Sequence, residues 1–404
     1  MEAKHPQENA LLTGVIWKQI LLFFLPVALG TFFQQMYNTV DALVVGNFVG
    51  MTALGAVGGA TASVINLILG FFVGVSSGAT VVIAQQYGAG NRETLSRVVH
   101  TTAALSLATG AALTVVGVLF VPGTLTLLHQ PEELMADSVT YLRVYFAGSP
   151  PTLLSNVGAG ILRAVGDSRR PFYFLVVSAV LNTALDLLFV LRFGMGVEGV
   201  AWATVIAQAV SALLVIVVLL RTQQAVRLIP RDLRIHLPVL RQIIRVGVPS
   251  ALQMAITAFS NVFVQSYINS FGADCMGGWT AYTKIDQLML LPMQSLALSA
   301  TTFVGQNLGR GNGPRARRGV RRALAIAMAA TVLVMIPVLV FAPQMTAFFN
   351  RKPEVVAYGA LLLRCISPFY VLCCFNQVYA AALRGAGNSK ATMIIMLCSL
   401  VLFR

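Results

Sequence analysis

AQQYGAGN at positions 84–91 returns as GQNLGRGN at 305–312, 221 residues later. LRAVGDSRR at 162–170 returns as LRGAGNSK at 383–390 with the same offset, which also relates Arg143 to Arg364. Pro26 and Pro249 open the first apolar run of each half, two residues off this register. Several anchors kept in one order across two halves mark an internal duplication. Each copy lies where a long apolar run gives way to a short polar loop, so the repeated unit is a set of apolar helices.

Working outward, the composition fixes the solvent of those helices. The chain has 404 residues, of which 57% are hydrophobic and only 10% charged, with mean hydropathy +0.78. A soluble chain carries about 25% charged residues, so this one lacks the charge to cover a water-facing surface. Disorder, collagen and a disulfide scaffold are excluded on the same grounds. Apolar runs predict membrane spans at 18–45, 57–84, 98–121, 138–162, 171–192, 199–220, 246–270, 281–306, 320–342 and 356–382, with an eleventh from 391. Six spans per half is an even number, so both halves enter the membrane in one orientation. The expected fold is an all-α polytopic membrane protein with two parallel six-helix lobes, an architecture used by transporters. The lobes are expected at 1–220 and 246–404, joined by a connector at 221–245 that rests on anionic headgroups. By the repeat arithmetic the second lobe is roughly 40 residues short, about 10.5 of 12 spans, and a non-functional fragment is one reading of that.

The net charge of +14 would suggest nucleic acid in a soluble protein. Here most of the 28 Lys and Arg fall in one set of loops, including Lys4, Arg92, Arg163, Arg169, Arg231, Arg317 and Arg384. By the positive-inside rule those loops and the N-terminus are cytoplasmic, and nucleic acid is not a partner. The first span follows a polar segment without a signal-peptide cleavage pattern and is expected to be retained in an inner membrane. The five Cys read as small apolar fillers. The four His, in tails, loops or span ends, are expected to be solvated and form no metal cluster. The Gly of GAGN and GRGN are expected to end helices at positive φ, and no Walker lysine follows to make a phosphate loop.

Polar residues inside spans carry the functional expectation, because a carboxylate there costs about 2.5–3.5 kcal/mol on insertion scales. Gln34, Asn38 and Asp41 fall on one face of the first span, and Asn182 and Asp186 on one face of the fifth. Thr204 enters the sixth span. Two carboxylates, a carboxamide and a hydroxyl suit a shared proton or a hard monovalent cation. The seventh span carries the uncharged stripe Gln253, Thr257, Asn261 and Gln265, and the eighth carries Lys284 and Asp286 as either a cavity or an interfacial pair. Gln34, Asn38, Gln253, Thr257, Asn261 and Asp286 are candidate cavity residues. No nucleophile elbow, paired metal-binding acids or histidine cluster points to an enzyme.

PVALGTFFQQMYNTVDALVVG (26–46), AQQYGAGN, LRAVGDSRRP (162–171), TTFVGQNLGRGN (301–312) and ALRGAGNSK (382–390) together resemble the MATE (multidrug and toxic compound extrusion) transporters. The resemblance covers essentially the whole chain. It implies two six-helix lobes around a V-shaped cavity, with a lipid bilayer and small cationic or amphipathic compounds as partners. Export would run against inward H⁺ or Na⁺ as coupling ion, with no other cofactor, in a monomer. The DinF-like branch is the nearer resemblance: its coupling residues map onto Asp41, Asn182, Asp186 and Thr204, and its helix bend onto Pro26. The glutamate that the NorM-like branch carries on the seventh span has no acidic counterpart near Thr257. A lipid-linked glycan flippase of the same superfamily is the alternative, and the acidic first lobe argues against it.

Overall fold

The computed structural model of the chain describes residues 10–402. Lys4, His5 and Arg404 lie outside the described residues. Among those described the secondary structure is helical, without a strand. A short α1 (Ala10–Thr13) leads into α2 (Ile16–Val44), which closes in a π-helical turn, Val45–Val49. The second span is α3 (Met51–Val57) plus α4 (Gly59–Gly88), and the third is α5 (Arg92–Leu127). The fourth breaks at Gly148 into α6 (Glu132–Ala147) and α7 (Ser149–Ala164), where Pro150 and Pro151 start the new helix. Then come α8 (Arg169–Leu187) and α9 (Gly196–Arg221). The second half holds α10 (Leu237–Asn269), α11 (Ala273–Gly309), α12 (Gly313–Val340), α13 (Ala342–Phe349), α14 (Pro353–Ile366), α15 (Tyr370–Gly385) and α16 (Ser389–Leu402). Among the described residues, eight helical stretches are long and apolar enough to cross a membrane. Large apolar side chains such as Leu119, Phe120 and Leu333 remain exposed on their outer faces, as lipid contact requires.

Helices α5 to α9 pack mainly on one another, and α11 to α15 form a second bundle. The bundles meet where α4 packs against α10 and α11. At Gly74, Gly78 and Gly247 the α4 and α10 backbones approach so closely that any Cβ would collide with main-chain atoms. Helix α2 belongs to both bundles. Ile20, Phe23, Phe24 and Val27 are buried in the second bundle's core, while the later turns lie against α8. Pro26 marks the change and removes one backbone hydrogen bond there, yet the helix continues through it.

The repeated motifs are the contact between the halves. Gln85 Nε2 donates to the carbonyl of Gly385 at 2.8 Å, and Gln306 Nε2 donates to that of Ala164 at 2.7 Å. Donors and acceptors are both related by the 221-residue offset, and such reciprocity is the signature of a two-fold relation. Gly88 and Gly309 stay helical, contrary to the expectation of positive φ. A Cβ on Gly88 would run into the carbonyl oxygen of Gln306, and one on Gly309 into that of Gln85. Positive φ occurs only at the second glycine of each motif, Gly90 (71°) and Gly311 (78°). Asn91 and Asn312 then cap α5 and α12 by accepting from the backbone N–H groups of Thr94 and Arg315.

Two further expectations are corrected. The irregular connector covers only 222–236, because α10 already begins at Leu237. Its Val226 and Leu228 are buried against Leu95, Val98 and Leu219, so it packs on protein as well as facing outward. His100 is not solvated but 1% exposed. Its Nε2 accepts from the N–H of Ile229 at 2.9 Å and its Nδ1 lies 2.7 Å from the carbonyl of Ser96, a pairing that the neutral Nδ1–H tautomer satisfies. Thr101 bonds Arg234 and His236 in the same way, which clamps the connector to α5. Replacing His100 with Ala leaves the Ile229 N–H without its acceptor, at a cost of about 1–3 kcal/mol if it stays buried. Limited proteolysis is expected to cut 222–236 faster in H100A; an unchanged rate would contradict the clamp.

Candidate functional site

Asn182 and Asp186 are one turn apart on α8, and both are buried, at 1% and 0% exposure. The α8–α9 contact brings Thr204 to them, and Asn182 Nδ2 donates to Thr204 Oγ1 at 3.4 Å. Helix α2 delivers Asp41 from the other side, close enough for the two carboxyl groups to act on each other. All four residues expected for the coupling site therefore meet in one place. Neither ionised carboxylate can donate, and Asp41 Oδ1, Asn182 Oδ1 and both carboxyl oxygens of Asp186 are buried without partners. Two unit negative charges 4 Å apart repel by about 4 kcal/mol even at an effective dielectric of 20. Charge on both carboxylates at once is therefore unfavourable in this arrangement.

Three tyrosines surround the acids, and the sequence reading missed them. Tyr37 precedes Asp41 by four residues and shares a cavity wall with Thr204. Tyr141 and Tyr145 of α6 stack at 6.1 Å beside the acids, and Tyr141 lies close to both. The i, i+4 spacing of each pair was the available signal, but which faces met was not.

Tyr37 and Thr204 form part of the wall of a cavity of about 450 Å³ inside the first bundle. Gln34 and Asn38 line it, as do Pro26 and Gly30 from α2 and Arg163 from α7. The other expected cavity residues are elsewhere. Gln253 is buried beneath Arg384 and accepts from its Nη1, and Thr257 bonds the carbonyl of Gln253 on its own helix. Asn261 is exposed farther along α10. Asp286 is half-buried beside the Tyr282 hydroxyl, while Lys284 is exposed. Near the cavity, Gln35 Nε2 donates to Gln287 Oε1 at 3.1 Å and links the halves. Arg163 and Arg384, expected in loops, instead end α7 and α15 partly buried in the protein.

Two duplicated helical bundles with buried carboxylates beside a polar cavity define a polytopic membrane transporter. The MatE family model matches residues 26–188 and 249–404, one segment in each half. The chain belongs to the MatE family, and it is a transporter rather than an enzyme. It is 29% identical over 381 residues to the probable multidrug resistance protein YoeA of Bacillus subtilis, covering 92% of this chain and 82% of the relative. A structure of an outward-facing multidrug resistance MATE transporter of the MOP superfamily superposes with TM-score 0.92 at 27% identity, covering 99% of this chain and 89% of the other. A MOP superfamily transporter from Pyrococcus furiosus, described as having a binding pocket of reverse polarity, superposes with TM-score 0.93 at 26% identity and the same coverages.

Proposed function

We propose that this chain exports organic cations and amphipathic drugs by alternating access, driven by inward movement of H⁺ or Na⁺ bound at Asp41 and Asp186. The observation that carries the reading is the pair of facing carboxylates whose buried oxygens lack partners. A proton or Na⁺ there relieves their repulsion, and a cationic substrate in the adjoining cavity competes for the same negative charge, so each weakens the other's binding reciprocally. Asn182 and Thr204 supply neutral oxygens for the ion. Pro26 lets α2 bend between its anchor in the second bundle and the acid-bearing turns in the first. The DinF-like assignment rests on this first-bundle site. Efflux of a cationic dye from cells, with proton and sodium gradients collapsed separately, tests the reading; efflux that survives loss of both would overturn it.

The basic loops following α4, α7 and α11 gather at the end where Gln85 and Gln306 join the halves. By the positive-inside rule this closed end is cytoplasmic, which puts the N-terminus inside a bacterial cytoplasmic membrane and the protein in an outward-facing state. A single chain provides both halves and the site, in keeping with a monomer. Two neutral hydrogen bonds contribute about 1–3 kcal/mol between them. A ligand must supply about 5.5 kcal/mol of differential affinity to move an equilibrium from 1:99 to 99:1, so ion and substrate together can open such a latch. Gln306→Ala is expected to speed hydrogen exchange in 84–91 and 162–167. Unchanged protection there would argue against the latch.

A further inference from the structure

Arg163 ends α7 at the wall of the first-bundle cavity, and its Nε is buried without a partner. Among the described residues no carboxylate pairs with it. A guanidinium carries five donors and a permanent charge, and inside a membrane protein it persists where it meets an acceptor or serves a ligand. The internal repeat provides its own comparison. Arg384, the repeat mate of Arg163, has an acceptor in Gln253 Oε1 at 3.4 Å. Gln253 is the fourth residue after Pro249, and the fourth residue after Pro26 is Gly30. Gly30 lines the same cavity as Arg163, and a Cβ there would touch only a ring carbon of Phe172, at 3.7 Å. The first half has the arginine of the repeat without the side chain that meets it in the second half, and a cavity opens beside both positions. The Ser155 hydroxyl, with one proton to give, lies 3.0 Å from both the Thr152 carbonyl and Gln208 Oε1, and Gln208 adds its amide N–H groups to the same wall. Aromatic rings, among them Phe172 and Tyr145, complete the surroundings.

We propose that Arg163 is the anion-recognising end of this cavity, which takes aromatic amphiphiles bearing a carboxylate. The inference rests on the multidrug reading above and narrows its substrate class. Gly30 lies about 16 Å along α2 from Asp41, so a zwitterion can direct its carboxylate to Arg163 and its cationic part toward the acids. A purely cationic ligand gains only the second contact and meets the like charge of Arg163.

The test is equilibrium binding of two dyes to the purified full-length chain in nanodiscs, with empty nanodiscs as blank. Rhodamine B carries a free carboxylate, and in rhodamine 6G that group is esterified. Arg163→Gln is expected to weaken rhodamine B by about tenfold or more and to tighten rhodamine 6G, while Arg163→Lys retains most of the preference for rhodamine B. Gly30→Gln restores the acceptor found in the second half and is expected to shift both dyes as Arg163→Gln does, with Arg163 still present. An unchanged ratio of the two affinities, or equal loss of both dyes, would overturn the assignment. No gradient enters this measurement, so the acid-pair reading fails separately, through efflux in Asp41 and Asp186 variants. Wild-type protein that bound neither dye would overturn the multidrug reading and this assignment together.

Discussion

Asp186→Asn is expected to reduce dye efflux to the level of cells lacking the protein, without lowering the melting temperature of the purified chain. The argument is electrostatic. The carboxamide introduced by this substitution would donate an N–H to Asp41, as a permanently protonated carboxyl would, and so fix the site in its loaded form. Replacing one carboxylate with a neutral amide of the same shape also relieves the like-charge repulsion of the unloaded site, so the fold does not suffer. Asp41→Asn places the amide on the other helix and is expected to give the same result. Loss of activity together with loss of folded protein would point to a structural role instead. Wild-type efflux from either variant would falsify the site assignment outright. The pair should also be non-additive: once one acid is gone, replacing the second has little further effect on efflux.

Gly88→Ala and Gly309→Ala are expected to be nearly as damaging, although each adds one methyl group far from the acids. At either position the Cβ meets a backbone carbonyl of the opposite half, which no rotamer change can move aside. Overpacking of this kind costs about 1–3 kcal/mol or more, comparable to the whole contribution of the two latch hydrogen bonds. The closed end is then forced apart, Gln85 and Gln306 lose their acceptors together, and efflux falls with the loss of the outward-facing state. Gly313→Ala is the control, because a Cβ there meets nothing within 4 Å and the position lies in the first turn of α12. Hydrogen exchange in 84–91 and 305–312 should rise in the first two variants and stay unchanged in the control. Equal protection in all three would mean that the halves do not depend on this contact.

Membrane residence, helicity and the duplication could all be read from the chain, as could the four polar residues, Asp41, Asn182, Asp186 and Thr204, that the fold brings together. Insertion of charge into a bilayer is costly enough that Asp41 and Asp186 stand out wherever they occur, and helical periodicity alone puts Asn182 on the face of Asp186. Contacts between helices are not periodic in the sequence. It therefore could not show that Tyr37, Tyr141 and Tyr145 surround the acids, or that His100 holds the connector. Nor could it show that Gln253 is consumed by Arg384 while Arg163 has no such acceptor.

The repeated octapeptide shows the division most clearly. Its recurrence 221 residues apart was enough to establish two like halves, and its asparagines and second glycines act locally, as caps and positive-φ turns. The glutamines and first glycines act only across the two-fold relation, each copy supplying donor and close-packed backbone to the other. Local backbone chemistry is written in a single segment of chain. A contact between two copies exists only once both have folded, and for that reason tertiary structure alone decided how the two halves of this transporter meet.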